Sequence, residues 1–211
     1  METKSEPSET KLRVVLIGDK SVGKTSLVNR YFGGSFEDKP LPTICVNYFN
    51  HEHQYNGKTF NILVCDTAGE EEYNSISKLF YREAIAAICV FNICSKSSFE
   101  SIEIWEKEFR TNVSTDFQKY AFVYIVANQI DAVKDSPSHV EESKANKLKN
   151  DLRAEKIFFT SAKVGTNVNE MFESLFEDAC KKAILKNETC ESSSPSPAPT
   201  LSNSSKSSCC K

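Results

Sequence analysis

The chain has 211 residues, a formal net charge of −3 and eight cysteines. That length allows one compact domain plus tails, and the interspersed charges give no footprint for nucleic acid. No apolar run reaches the ~18 residues of a membrane span, the polar N-terminus lacks a signal-peptide core, and no Cys-x-x-Cys spacing marks a zinc or redox site, so a cytoplasmic protein with reduced thiols is expected.

Residues 1–10 read as disordered. Residues 11–17 read as a strand and 24–32 as a helix, stopped by Gly33-Gly34 as helices commonly are. Between them lies Gly18-Asp19-Lys20-Ser21-Val22-Gly23-Lys24-Thr25. An irregular stretch runs to Thr43. Residues 44–55 and 58–65 read as strands joined at Asn56-Gly57, a two-residue hairpin signal. Asp66-Thr67-Ala68-Gly69 follows, then a helix over 71–83. Residues 85–93 are a nearly unbroken apolar run, as a central strand needs. Phe99, Ile102, Trp105 and Phe109 recur at helical spacing, which predicts a helix over 98–111.

Residues 121–127 form another buried strand, followed by Asn128-Gln129-Ile130-Asp131. A charge-laced helix is expected over 140–153 and a short strand over 156–160, followed by Ser161-Ala162-Lys163. Met171, Phe172, Leu175, Phe176 and Ala179 predict a last core helix over 168–184. Residues 186–211 are rich in Ser and Pro and read as a disordered tail. The domain is therefore expected over 11–185. This alternation predicts an α/β fold: a six-stranded, mostly parallel sheet with one antiparallel edge strand and helices on both faces. His51 and His53 would share a strand face, but neither an acidic nor a thiol partner has the spacing for a metal pair.

The 18–25 stretch fits the phosphate-loop pattern in its strand–loop–helix context. Gly18 and Gly23 let backbone N–H groups turn toward phosphate oxygens, and the following helix adds its N-terminal partial charge. Lys24 can reach the outer phosphates, and Thr25 can hold Mg²⁺. Asp66, at a strand end opposite Thr25, can hold the metal shell, and the Gly69 N–H can meet the terminal phosphate. Thr43 can cap the metal while that phosphate is present. Asp131 can accept two hydrogen bonds from guanine, a donor pair adenine lacks. The Ala162 N–H can donate to guanine O6.

In that order, these motifs resemble the Ras superfamily of small GTPases, and within it the Rab family, over residues 11–185. Gly18-Asp19 with Val22-Gly23-Lys24-Thr25-Ser26-Leu27, Thr43-Ile44 with Val46, Asp66-Thr67-Ala68-Gly69, Phe80-Tyr81-Arg82 with Ala84, and Ser161-Ala162-Lys163 carry the likeness. The resemblance implies a P-loop NTPase G domain that binds GTP or GDP with Mg²⁺ and hydrolyses GTP. It implies nucleotide contacts from Ser21, Val22, Ser26, Asn128, Gln129, Ser161 and Lys163 besides those above, and from Phe36 against the base. It implies catalytic parts for Lys24, Thr43, Gly69 and position 70. Switch regions near 34–49 and 66–82 would meet effectors, and an exchange factor, an activating protein, an escort protein and a GDP-dissociation inhibitor would be partners. Nucleic acid would not.

Four departures matter. Glu70 stands where the family has the glutamine that orients the attacking water. It either swings out, leaving slow hydrolysis, or acts as a base. The first is favoured, because phosphoryl transfer needs little base help. Lys20 and Ser21 stand where small residues are usual. Gln129 replaces a lysine whose stem packs on the base, so weaker affinity is expected. Cys65 replaces a tryptophan that forms an effector-binding triad with aromatics matching Tyr48 and Phe80. The chain ends Cys209-Cys210-Lys211, similar to twin-cysteine ends that carry two geranylgeranyl groups. Two lipids anchor stably where one does not, on the cytosolic face of an endomembrane. A Ras-type or Rho-type signalling GTPase, or a GTP-binding interaction module with negligible hydrolysis, are the alternatives.

Overall fold

The computed structural model describes residues 10–34, 36, 37, 41, 43, 46–67 and 79–191. Gly69, Glu70, Cys209, Cys210, the expected strand start at 44–45 and most of the expected 71–83 helix lie outside the described residues.

Six strands form one sheet in the order β2-β3-β1-β4-β5-β6. They are β1 (Thr10–Ile17), β2 (Asn47–Tyr55), β3 (Lys58–Asp66), β4 (Ala84–Asn92), β5 (Phe122–Asn128) and β6 (Lys156–Phe159). β2 alone runs antiparallel, paired with β3 from Tyr55↔Lys58 to Asn47↔Asp66. The Asn56-Gly57 turn between them has φ of 50° and 73°, both left-handed, as a two-residue hairpin needs. The other four pairings are parallel. A parallel pair needs a crossover, and helices supply it.

Two apolar layers follow from the period-two alternation of the strands. On one face, Leu12, Val14 and Leu16 of β1 and Tyr124 and Val126 of β5 meet α1 (Lys24–Tyr31) and the last helix, through Leu27, Val28, Met171, Phe172 and Phe176. On the other, Val15, Ile17, Cys89, Phe91 and Ile125 meet Ile102, Trp105, Phe109, Ala145 and Leu148. β4 is buried at eight of its nine positions, as its apolar run predicted. Cys65, Cys89 and Cys180 are buried in these layers and Cys94 is partly exposed; all four are free thiols. His51 stacks on Phe176 with ring centroids 4.5 Å apart, and His53 lies 5.8 Å from His51.

The helices differ from the sequence reading in three places. The expected 98–111 helix is two pieces, α2 (Lys96–Glu100) and α3 (Ile102–Asn112). Ser95 caps the first by accepting from the Ser98 N–H, and the Ser101 hydroxyl donates back to the Ser97 carbonyl, a bond that bends helices. After the short α4 (Thr115–Gln118), α5 spans Glu142–Asp151 rather than 140–153. Val140 is instead tied to the residue just after β4, its N–H donating to the Ile93 carbonyl at 2.8 Å. Arg153, at φ 50°, turns the chain out at the other end. The last helix, α6, spans Val168–Glu191, so residues 186–191, expected in the tail, are helical. Lys186 lies over the Phe117 ring of α4 at 4.1 Å, and Tyr120 bonds Thr189. Among the described residues, no helix is long and apolar enough to cross a membrane.

Candidate functional site

The site lies over the carboxyl ends of the parallel strands, where open α/β sheets bind ligands. The loop after β1 curls back beneath it. Gly18 has φ 138°, and a Cβ there would stand 2.2 Å from the Val90 carbonyl oxygen of β4. Gly23 caps α1 in a left-handed conformation, φ 95°, with Asn128 Nδ2 only 2.4 Å from where its Cβ would be. Both positions therefore require glycine for shape. Ser21, between them, also has positive φ.

Lys24 runs back across this loop and is 6 % exposed. Its Nζ donates to the Gly18 carbonyl at 2.7 Å and the Asp19 carbonyl at 2.8 Å. Burial pushes its pKa down to about 8, against the opposing pull of Asp66 and Asp19. A desolvated ammonium bonded, among the described residues, to neutral carbonyls alone is poised to take an anion.

Thr25, Thr43 and Asp66, the three expected metal ligands, converge. Thr25 Oγ1 donates to Asp66 Oδ2 at 2.7 Å and lies 2.8 Å from Thr43 Oγ1. Asp66 is fully buried, and its Oδ1 has no partner among the described residues. Burial raises the Asp66 pKa, while its bond from Thr25, the Lys24 charge and a bond from Asn47 oppose the shift. Buried polar atoms are nearly always partnered, so the orphaned oxygen marks a place for a cation. Two hydroxyls and one carboxylate are hard oxygen donors, which fit Mg²⁺. Among the described residues, no three His, Cys, Asp or Glu side chains are grouped to hold a metal. Thr67, next in the chain, is buried and bonds the Leu16 carbonyl at 2.6 Å, fixing the end of β3 to β1.

Beside the loop opens a cleft of about 410 Å³, lined in part by Ser26, Phe36, Gln129, Asp131, Ala162 and Lys163. Asn128 is 1 % exposed beneath it. Its Nδ2 donates to the Val22 carbonyl at 2.9 Å, and its Oδ1 accepts from Thr160 Oγ1 and the Ala162 N–H, both at 3.2 Å. One amide thus joins the phosphate loop, β5 and the loop after β6. The Ala162 N–H, expected to face guanine O6, points at Asn128 here. Gln129 Nε2 donates to the Ser21 carbonyl at 3.0 Å. Asp131, on the cleft lining, accepts from Ser161 Oγ at 2.6 Å through one carboxylate oxygen. Tyr48 and Phe80 meet edge to face at 5.8 Å, and Cys65, opposite Tyr48 in the β2–β3 register, is buried.

Three supporting residues were not legible in the sequence. Arg30 reaches from the last turn of α1 to the Ala162 carbonyl at 2.7 Å and the Lys163 carbonyl at 2.6 Å. Thr160 and Asn47 brace Asn128 and Asp66. None belongs to a motif, and their partners lie far along the chain or across a strand pair.

The Ras family model matches residues 13–181. The Ras-related protein RABG3f of Arabidopsis thaliana is 36% identical over 82% of this chain and 84% of its own. The Ras-related protein Rab7 of Pisum sativum is 34% identical over the same shares. The Ypt/Rab-type GTPase YPT7 of Saccharomyces cerevisiae is 34% identical over 81% of this chain and 82% of its own.

Proposed function

The chain belongs to the Ras family as a Rab-like small GTPase, and from that premise we propose that it is a slow, membrane-attached GDP/GTP switch in vesicle traffic. The observation that carries the nucleotide reading is the convergence of Thr25, Thr43 and the buried, half-partnered Asp66 next to Lys24. Phosphoryl transfer is mostly positioning and charge stabilisation, and these residues have those tasks. Lys24 exchanges its two carbonyl partners for outer-phosphate oxygens. Thr25 and Asp66 would hold Mg²⁺, whose charge would offset that of the phosphates, with Thr43 beside them from the first switch region. Asp131 selects guanine, and Phe36 lies against the base. The Gly69 N–H would meet the terminal phosphate.

Glu70 sets the rate. Glutamate lacks the amide donor that would orient water. Two like unit charges about 6 Å apart at an effective dielectric near 20 repel by roughly 3 kcal/mol before metal shielding, the scale of penalty such a carboxylate would bring to the terminal phosphate. Single-turnover phosphate release tests this. Glu70→Gln should hydrolyse GTP at least about tenfold faster than the native chain. An unchanged rate removes position 70 as the handicap. The same residue favours a second reading, a GTP-bound interaction module that hardly turns over.

Leu41, Tyr48 and Leu79 are large apolar side chains more than half or half exposed in the two switch regions. They suit an effector that docks when those regions are ordered. Lipids on Cys209 and Cys210 would attach the domain to the cytosolic face of an endomembrane. Mass spectrometry of the C-terminus from cells should find two geranylgeranyl groups; a single farnesyl would count against the Rab-type reading.

A further inference from the structure

The one tryptophan of the chain lies in the core layer with Ile102 and Phe109, yet its polar edge faces the phosphate loop. Trp105 is 7 % exposed, and its Nε1–H donates to Asp19 Oδ1 at 2.8 Å. The backbone carbonyl of the same Asp19 accepts from Lys24 Nζ. Its carboxylate is close enough to pull on the Lys24 charge, but the ammonium bonds carbonyls, not that carboxylate. The difference has chemical weight. A charged pair would be the stronger bond, and a phosphate would have to break it.

We propose that Trp105 is a positioning residue for nucleotide binding: its indole N–H holds the Asp19 carboxylate on the α3 side of the loop, keeping Lys24 available to phosphate. The inference rests on the nucleotide-binding reading above. Indole N–H is a donor only, so Trp105 can serve no other polar purpose there. If the bond is lost, Asp19 turns to Lys24, whose charge it already acts on, and competes with the outer phosphates. The effect should therefore depend on how many phosphates the ligand carries. A purely structural role for Trp105 would not produce that dependence.

The test measures GDP and GMP binding by competition with the native chain, Trp105→Phe, Asp19→Asn and the double variant. Trp105→Phe keeps an aromatic ring in the core, removes the donor and gives up part of the buried ring volume, a packing loss that does not depend on the ligand's phosphates. It should weaken GDP about tenfold and change GMP by less than about twofold. In the Asp19→Asn background the same substitution should cost less than about twofold, because the competing charge is gone. Equal weakening of GDP and GMP, or a penalty that persists with Asn at position 19, overturns the proposal. Asp19→Ala, with Trp105 intact, keeps the question answerable if Trp105→Phe does not fold. It should change GDP binding by less than about threefold, because Trp105 already keeps that carboxylate off Lys24; any larger tightening would show Asp19 competing with phosphate in the native chain and overturns the proposal. A native chain that binds neither nucleotide overturns the nucleotide reading itself, a result distinct from all of these.

Discussion

The two ends of the nucleotide cleft are built on opposite terms. At the base end, Asn128 spends both atoms of its amide on protein: Val22, Thr160 and Ala162. Gln129 and Asp131 bond Ser21 and Ser161 in turn, and Arg30 latches the loop after β6 onto α1. At the metal end, Asp66 is just as buried but keeps Oδ1 without a partner among the described residues. The base end is shaped by the fold before any ligand arrives. The metal end carries a buried carboxylate whose desolvation a cation offsets. On the proposed reading, pre-formed shape would give the first its selectivity, and the second would make binding depend on Mg²⁺.

Asn128→Ala should have the largest effect. It removes three bonds and strands buried partners, costing about 3 kcal/mol of folding stability. Thermal unfolding should register the loss with or without nucleotide. A loss seen only in nucleotide affinity would break the comparison, because Asn128 would then act on the ligand rather than on the fold.

Asp66→Asn should act with the opposite sign in the absence of metal. It removes a buried charge, so in chelator the variant should be at least as stable as the native chain, by about 1 kcal/mol. With Mg²⁺ present, it should lose the dependence of GDP release on metal. Destabilisation in chelator comparable to that of Asn128→Ala would make the two ends alike.

Gln129→Lys should have the smallest effect. A lysine stem covers more of the base than the shorter glutamine, so GDP release should slow by about threefold. Unfolding temperature should barely move. Unchanged release would make the Gln129–Ser21 bond a loop brace without influence on the base.

Much of this architecture was legible because it is local. Gly18 and Gly23 announce a loop, β4 announces a strand buried on both faces, and Asn56-Gly57 announces its hairpin. Thr25, Thr43 and Asp66 were brought together by motif order, and the sheet confirms that they touch. What escaped depends on contacts across the fold. The role of Asn128 as a clamp requires Val22 to lie beside it, 106 residues earlier. The helical continuation past Ile184 carries polar residues without apolar rhythm, and is legible only once Phe117 and Tyr120 are known to face it. The break at Ser101 is a side-chain bond to backbone, which apolar periodicity does not encode. Trp105 read as a core residue because burial and hydrogen bonding share one indole.

The central claim is that this cleft holds a guanine nucleotide through Mg²⁺, and the most direct measurement is the nucleotide released on denaturing the purified protein, together with its release rate before and after chelation. The account predicts about one GDP or GTP per chain, with release sped at least about tenfold by chelator, the loss expected when a charge-neutralising ion is withdrawn from phosphate. An adenine nucleotide, or release indifferent to chelation, would contradict it.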